Sequence, residues 1–172
     1  MHTKIREDNE ARYVSEYVLE KFPRCSQKIR CPLGGAPEMW IKEMGFSKAL
    51  RTYRPYRPEV DAVVIDKDKI ILIEGKILKV MDGISKLPVY RFLVRETPEL
   101  DIYRTKKIEA RLVTPHPPGW CERVAKEFDV TIDLFEPDWI KDYRQKQEKY
   151  WTTEERVERH KRRETLKGLG MK

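Results

Sequence analysis

The sequence has few of the residues that mark extracellular or membrane proteins. Its three cysteines are an odd number at spacings that match no common zinc pattern, so we expect reduced or buried thiols. No apolar run approaches the roughly 18 residues of a membrane span, and residues 1–10 lack the apolar segment of a secretory signal. These absences predict a cytoplasmic, intracellular protein with no membrane partner.

Amide side chains are also scarce, with one asparagine and three glutamines, whereas charged residues make up 38% of the chain. This composition is often seen in hyperthermophiles, so a thermophilic source is the expectation. The formal net charge is +7, and a basic protein favours polyanions such as nucleic acid. The charge alone identifies no partner.

The periodicity of the apolar residues predicts the element order helix, three strands, helix, strand, helix, strand. Strands that alternate with helices favour an α/β fold, with a mixed central sheet flanked by helices and nearly continuous apolar runs in its middle strands. The helix after the third strand is expected in SKLPVYRFLV, with Ser85 as its N-cap and Pro88 in its first turn.

No repeat or low-complexity linker divides the chain. We therefore expect one core over residues 1–136 with an insertion at about residues 34–58, followed by a charged helical extension over residues 137–172. Within that extension, Thr152–Glu155 has the form of a capping box and predicts the start of a second helix.

Two predicted strands carry acids where buried strands should not. They lie in VDAVVIDKDKIILIEGK, residues Val60–Lys76. Glu74 and Lys76 share one face of their strand, and a turn through DKDK brings Asp61 beside Glu74. A buried unpaired carboxylate costs several kcal/mol, so the two acids need a cation between them. Mg²⁺ meets that need through hard oxygen ligands, with Lys76 close by to orient water or offset phosphate charge.

A simpler interpretation stays open for the same residues. Glu74 and Lys76 form a salt bridge at the open end of a strand, and Asp61 is an ordinary acid at the start of its strand. Binding of a divalent ion would separate the two interpretations.

The pattern of Asp61 followed by Glu74, Gly75 and Lys76 resembles the PD-(D/E)XK nuclease superfamily. That family's core has the same element order, so the resemblance covers residues 9–135 and implies a restriction-endonuclease-like fold. Lys86 and Tyr90 resemble the QxxxY motif of the RecB-like branch, with lysine in place of glutamine, and a Holliday-junction-resolvase-like branch is the other expectation. Val60 stands where the family often has proline.

The resemblance implies hydrolysis of DNA phosphodiester bonds with Mg²⁺ or Mn²⁺. It implies that Asp61 and Glu74 ligate the ion and that Lys76 helps to activate water. Family members often add a glutamate from the first helix, and Glu10 is favoured because it lies on the apolar side of that helix. The other implied contacts are a backbone carbonyl ligand from Ile77 and phosphate contacts from Lys86 and Tyr90.

Arginines alternate with aromatic residues in the insertion, a composition suited to phosphate contact and base stacking. The candidate DNA-binding residues there are Arg51, Arg54 and Arg57. Packing of the same aromatics inside a folded insertion is an equal alternative. In the extension, the basic run His160–Arg163 suits a DNA backbone, although a solvated helix face is the commoner explanation.

The alternative function is a non-catalytic nucleic-acid-binding protein, or an assembly protein of a virus or a larger complex, that keeps the nuclease fold. The intact set Asp61, Glu74 and Lys76 favours the enzyme. The sequence leaves open a homodimer or a larger complex, the preferred DNA structure, and endonuclease or exonuclease action.

Overall fold

The chain forms two compact units, Met1–Phe135 and Glu136–Lys172. The computed structural model describes residues 2–150 and 152–168, with side chains from residue 9 onward except at 147–150, 155 and 167. The ends of the predicted core and of the predicted extension, residue 1 and residues 169–172, lie outside the described residues.

The first unit follows the predicted order, with the insertion between its first two strands. Its helices and strands are α1 His2–Lys21, β1 Ser26–Pro32, α2 Glu38–Met44, α3 Phe46–Tyr53, β2 Glu59–Ile65, β3 Lys69–Gly75, α4 Val80–Leu93, β4 Lys107–Thr114, α5 Cys121–Glu127 and β5 Val130–Leu134. Three short 3-10 helices complete it, at Arg54–Tyr56, Val94–Glu96 and Pro98–Tyr103.

The five strands form one mixed sheet in the order β1-β2-β3-β4-β5. The pairs β1–β2 and β2–β3 are antiparallel, whereas β3–β4 and β4–β5 are parallel. Helices flank the sheet, so the predicted α/β class is confirmed. The insertion connects β1 to β2, and a short turn connects β2 to β3. Each parallel pair connects through a helix, as parallel pairing requires.

The middle strands are buried on both faces, which explains their nearly continuous apolar runs. One face of β2 and β3 packs against α4, with Val63, Ile70 and Leu72 in a cluster that also holds Ile84. The other face packs against α1. The contact is so close at Gly75 that a methyl group there would lie 2.2 Å from Val14 Cγ2. Adjacent residues of a strand point to opposite faces, so Glu74 belongs to the α4 side.

Helix α4 begins earlier than predicted. It starts at Val80, so Ser85 is not its N-cap and Pro88 lies inside the helix. The Ser85 hydroxyl donates to the Asp82 carbonyl at 3.3 Å. The buried stripe of Val80, Ile84 and Leu87 at helical spacing extends the helix toward its N-terminus.

The insertion also differs from the expectation of one short helix followed by irregular chain. It contains the two helices α2 and α3 and then a 3-10 turn. Gly45 separates the helices at a φ of 82°, a backbone conformation that favours glycine. This glycine therefore allows a sharp change of direction between α2 and α3.

The second unit contains two charged helices, α6 Asp138–Tyr150 and α7 Thr153–Gly168. Helix α7 begins beside Thr152, and the side chains of His160–Arg163 are exposed. Among the described residues, no helix is both long and apolar enough to cross a bilayer.

Candidate active site

Asp61 and Glu74 come together at the ends of two paired strands. The antiparallel register pairs Ala62 with Ile73, so the next step outward sets Asp61 opposite Glu74 on the same face. Asp61 Oδ2 accepts a hydrogen bond from the Gly75 N–H at 2.9 Å. The backbone of β3 therefore holds the Asp61 carboxylate in place.

The Lys76 ammonium lies among three carboxylates. Its Nζ is 3.1 Å from Glu74 Oε1, 3.6 Å from Asp61 Oδ2 and 3.4 Å from Glu10 Oε2. The Lys76 N–H donates to the Val113 carbonyl at 2.9 Å, which continues the pairing of β3 with β4 beyond Gly75. The salt bridge of the simpler interpretation is thus present, and the same ammonium also contacts Asp61 and Glu10.

Glu74 and Lys76 are buried, whereas Asp61 and Glu10 are partly exposed, and the charges of these residues depend on one another. Glu74 is 1% exposed, and its Oε2 accepts no hydrogen bond from any described residue. Burial, reinforced by the charge of Asp61, raises the pKa of the Glu74 carboxyl above its ordinary value, against the effect of the nearby lysines. Burial alone would lower the pKa of Lys76, but the surrounding carboxylates outweigh it and raise that pKa.

Two glycines allow the helices to approach these residues. Gly75 lets α1 pack against the end of β3, which brings Glu10 within reach of Lys76. On the other side, a methyl group at Gly83 would lie 2.5 Å from Leu112 Cδ1 and 3.0 Å from Lys76 Cγ. The sequence reasoning missed Gly83, and a glycine within the buried stripe of an amphipathic helix was the available signal.

Helix α4 also brings the two residues of the predicted QxxxY-like motif to the cluster. Lys86 Nζ is 3.4 Å from Glu74 Oε1, and about half of the Lys86 side chain is exposed. Tyr90 is buried, and its hydroxyl donates to the Glu59 carbonyl at 3.1 Å. Burial, followed by the nearby carboxylates, raises the pKa of Tyr90. Ile77 is buried directly after Lys76.

The oxygen donors suit a hard divalent ion by their chemistry. No three aspartate, glutamate, histidine or cysteine side chains within residues 2–150 and 152–168 stand as a ready ligand set for one metal ion. Asp61 and Glu74 nevertheless share one cation position, which the Lys76 ammonium holds. The buried, unpartnered Glu74 Oε2 is a further acceptor that an ion could satisfy.

The structure gives Arg57 a different place from its predicted phosphate contact. The guanidinium is buried and makes two hydrogen bonds to the Glu99 carboxylate, at 2.7 and 2.8 Å. It also donates to the carbonyls of Pro32 at 3.0 Å and Leu33 at 3.4 Å. These bonds occupy the guanidinium inside the protein, so Arg57 leaves the DNA-binding set, whereas Arg51 and Arg54 are exposed.

Arg57→Leu is expected to lower the free energy of unfolding by about 2 kcal/mol, because it removes a charged donor from two carbonyls and a carboxylate. Urea denaturation measures the change. Arg54→Leu is the matched control, and its effect should stay within about 0.5 kcal/mol because its side chain is exposed. Equal losses in the two variants would contradict the anchoring role.

A second polar cluster lies on the α1 side of the sheet. Arg111 of β4 contacts Asp133 of β5 at 2.8 Å, and the Tyr17 hydroxyl of α1 donates to the same carboxylate. Arg111 also donates to the Tyr17 oxygen at 3.2 Å. The sequence reasoning missed this cluster, although charged residues within two apolar strands were the same signal that identified Asp61 and Glu74. It ties α1, the helix that carries Glu10, to the sheet.

The cluster around Lys76 therefore gathers three carboxylates and two ammonium groups where β2 begins and β3 ends. Its members are Glu10, Asp61, Glu74, Lys76 and Lys86. Carboxylates of this kind can bind a divalent cation, and ammonium groups beside them can contact a phosphate. Neither the models of known protein families nor the curated proteins compared with this chain give a match.

Proposed function

We propose that this chain is a metal-dependent nuclease of the PD-(D/E)XK superfamily that hydrolyses phosphodiester bonds in DNA. The observation that carries the proposal is the convergence of Asp61, Glu74 and Lys76 at one end of a β-hairpin. These are the three residues on which the resemblance to the superfamily rests. The element order and the basic charge of the chain support the same conclusion.

Asp61 and Glu74 would hold Mg²⁺ or Mn²⁺, with Glu10 and the Ile77 carbonyl as the further ligands. The ion would supply Lewis-acid stabilisation of charge on the phosphate oxygens. Both acids are well placed to hold a cation because the strands fix their backbones and Gly75 fixes the Asp61 carboxylate. Burial and the charge of Asp61 raise the pKa of Glu74, and the positive charge of a bound cation would oppose that shift and favour the ionised form.

The two lysines would serve the phosphate and the attacking water. Lys76 lies in contact with both acids, so its ammonium can orient a water molecule or offset developing negative charge. Lys86 is half-exposed beside Glu74 and can contact the incoming phosphate. Tyr90 holds the Glu59 backbone, at the start of β2, through its hydroxyl.

The direct test is incubation of the protein with supercoiled plasmid and with linear DNA, with Mg²⁺, with Mn²⁺ and with EDTA. We expect cleavage only with the divalent ions, because the acids alone cannot stabilise negative phosphate charge. Gel electrophoresis distinguishes nicked, linear and degraded products, and so separates endonuclease from exonuclease action. Absence of ion-dependent cleavage on both substrates would contradict the nuclease proposal.

One observation favours a second candidate, a non-catalytic nucleic-acid-binding or assembly protein with the same fold. The Lys76 ammonium already contacts Asp61, Glu74 and Glu10, so the cluster is neutralised in part without a metal. If the chain has this second function, it should bind DNA with no response to Mg²⁺. A titration of Mn²⁺ followed by calorimetry distinguishes the two, since only the nuclease requires a bound ion.

The DNA partner is proposed from charge and exposure. The exposed basic run His160–Arg163 of α7 is a candidate for contacts with the DNA backbone or with a partner protein. Assembly into a homodimer or a larger complex remains part of the proposal.

A further inference from the structure

The two ends of the insertion are hydrogen-bonded to each other and to the residues that follow α4. The Leu33 N–H donates to the Pro58 carbonyl at 2.8 Å, which joins the two ends of the insertion. The Gly34 N–H donates to the Thr97 hydroxyl at 2.8 Å, and Arg57 is held by Glu99. A surface carried by this insertion is therefore held in place before any ligand arrives, which lowers the entropy cost of binding.

Three aromatic rings meet within the insertion. The rings of Tyr53 and Tyr56 stack with centroids 5.3 Å apart and an interplanar angle of 29°. Trp40 contacts both edge-on, at centroid distances of 5.4 and 6.4 Å. Trp40 and Tyr53 are partly buried, so they account for the packing of α2 against the end of α3.

Packing within the insertion does not explain the aromatic side chain at position 56 in the same way. It remains 70% exposed although its ring stacks on Tyr53. A large aromatic side chain held by another ring and still open to solvent offers a π-face to a flat ligand. The insertion thus presents a stacking surface that its own fold does not cover.

The charge around this surface selects the ligand. Residues 34–58 contain five basic and two acidic side chains. Arg54 belongs to the same 3-10 turn as Tyr56, and the Arg54 side chain is 61% exposed. Arg51 lies one helical turn earlier and is exposed. Aromatic rings beside arginines suit single-stranded nucleic acid, whose bases stack while its phosphates pair with the guanidinium groups.

The same turn lies next to the carboxylate cluster. Arg54 Nη2 is 4.0 Å from Glu59 Oε2, and Glu59 is two residues from Asp61 on the same face of β2. The Glu59 carbonyl also accepts the hydroxyl of Tyr90. A strand bound across Tyr56 would therefore pass close to the candidate active site.

We propose that Tyr56, with Arg51 and Arg54 beside it, binds unpaired bases of DNA next to the carboxylate cluster. This inference takes DNA as the ligand from the proposed function but concerns binding alone. Duplex DNA keeps its bases stacked inside the helix, so the surface would give a preference for single-stranded segments over duplex.

The test measures fluorescence anisotropy of a labelled oligodeoxythymidylate and of a labelled duplex, both in EDTA so that no cleavage occurs. Tyr56→Leu should weaken binding of the single strand by about tenfold and leave duplex binding unchanged, whereas Tyr56→Phe should retain the wild-type affinity. Tyr56→Leu should not alter the salt dependence of binding. Arg51→Gln and Arg54→Gln should each lower that slope by about 0.7, the value for one phosphate contact on a single strand.

Two controls keep the test specific. Phe92 of α4 is 66% exposed, so Phe92→Leu removes a comparable aromatic ring away from the insertion. Arg123 of α5 is exposed, so Arg123→Gln is the matched control for the two arginine variants. Both should bind like the wild type. Equal losses for Tyr56→Leu and Phe92→Leu, equal losses on single strand and duplex, or tighter duplex binding by the wild type would overturn the inference. Cleavage assays run separately, so these outcomes leave the nuclease proposal to its own test.

Discussion

Replacing Asp61 by asparagine is expected to lower magnesium-dependent DNA cleavage by about a thousandfold or more, the loss that corresponds to several kcal/mol of transition-state stabilisation. The substitution removes the negative charge that would hold the ion. It keeps an oxygen that can accept the hydrogen bond from the Gly75 N–H, which measures 2.9 Å in the wild type. DNA affinity in EDTA should stay within about twofold, because basic groups provide most of the binding energy.

A matched control lies in the same hairpin. Asp68 is exposed in the turn at the opposite end of β2 and β3, so Asp68→Asn makes the same chemical change away from the cluster. It should cleave like the wild type. Glu74→Gln provides a second substitution within the cluster, and melting temperatures show whether each variant folds. Equal cleavage by folded Asp61→Asn and Asp68→Asn would contradict the assigned role of Asp61.

The strands and the meeting of Asp61 with Glu74 could be predicted because both depend on local rules. Alternation by two residues assigns each side chain to a face, and a short turn aligns neighbouring strands. The observed pairing of Ala62 with Ile73 follows from those rules. The catalytic and metal-binding roles of these residues remain predictions, since the geometry also suits a salt-bridge cluster.

The start of α4 and the place of Arg57 could not be predicted in the same way. At α4, the capping preference of Ser85 competed with an apolar stripe, and burial of Val80 and Ile84 prevailed. For Arg57, the deciding partner is Glu99, 42 residues away along the chain. A basic residue among exposed arginines gives no local signal that its own guanidinium is buried, because that depends on tertiary contacts.

The position of the Lys76 ammonium also depends on tertiary contacts. The sequence predicts that Lys76 lies near Glu74, and the resemblance implies that Glu10 of α1 joins the site. The structure places Glu10 in contact with the Lys76 ammonium, because Gly75 permits close packing of α1. The Lys76 ammonium is thus the buried cation that contacts all three carboxylates of the cluster. A divalent ion and the ammonium would compete for the same oxygens, which makes Lys76 the residue whose removal is most informative.

Lys76→Met is expected to lower the free energy of unfolding at pH 7 by about 3 kcal/mol, because it leaves the buried Glu74 carboxylate beside Asp61 with only the half-exposed Lys86 ammonium as a cation partner. Methionine fills similar space but carries no charge. Thermal and urea denaturation measure the loss. Lys69→Met is the matched control, since Lys69 pairs with Glu109 at 2.7 Å near the other end of β3 where both side chains are partly exposed. Its cost should be at most about 1 kcal/mol.

The pH and metal dependence of the Lys76→Met variant then distinguish a cation site from ordinary packing. The folded-state pKa of Glu74 is already raised, and loss of the ammonium should raise it further. Between the ordinary glutamate pKa of about 4.3 and that raised value, the folded state binds a proton that the unfolded chain has lost, so stability should fall as pH rises. Mn²⁺ should restore stability at pH 7 more in Lys76→Met than in the wild type, because the Lys76 ammonium no longer competes with the ion for the carboxylates. Stability that rises with pH, or an equal response of both proteins to Mn²⁺, would show that Asp61 and Glu74 do not form a shared cation site.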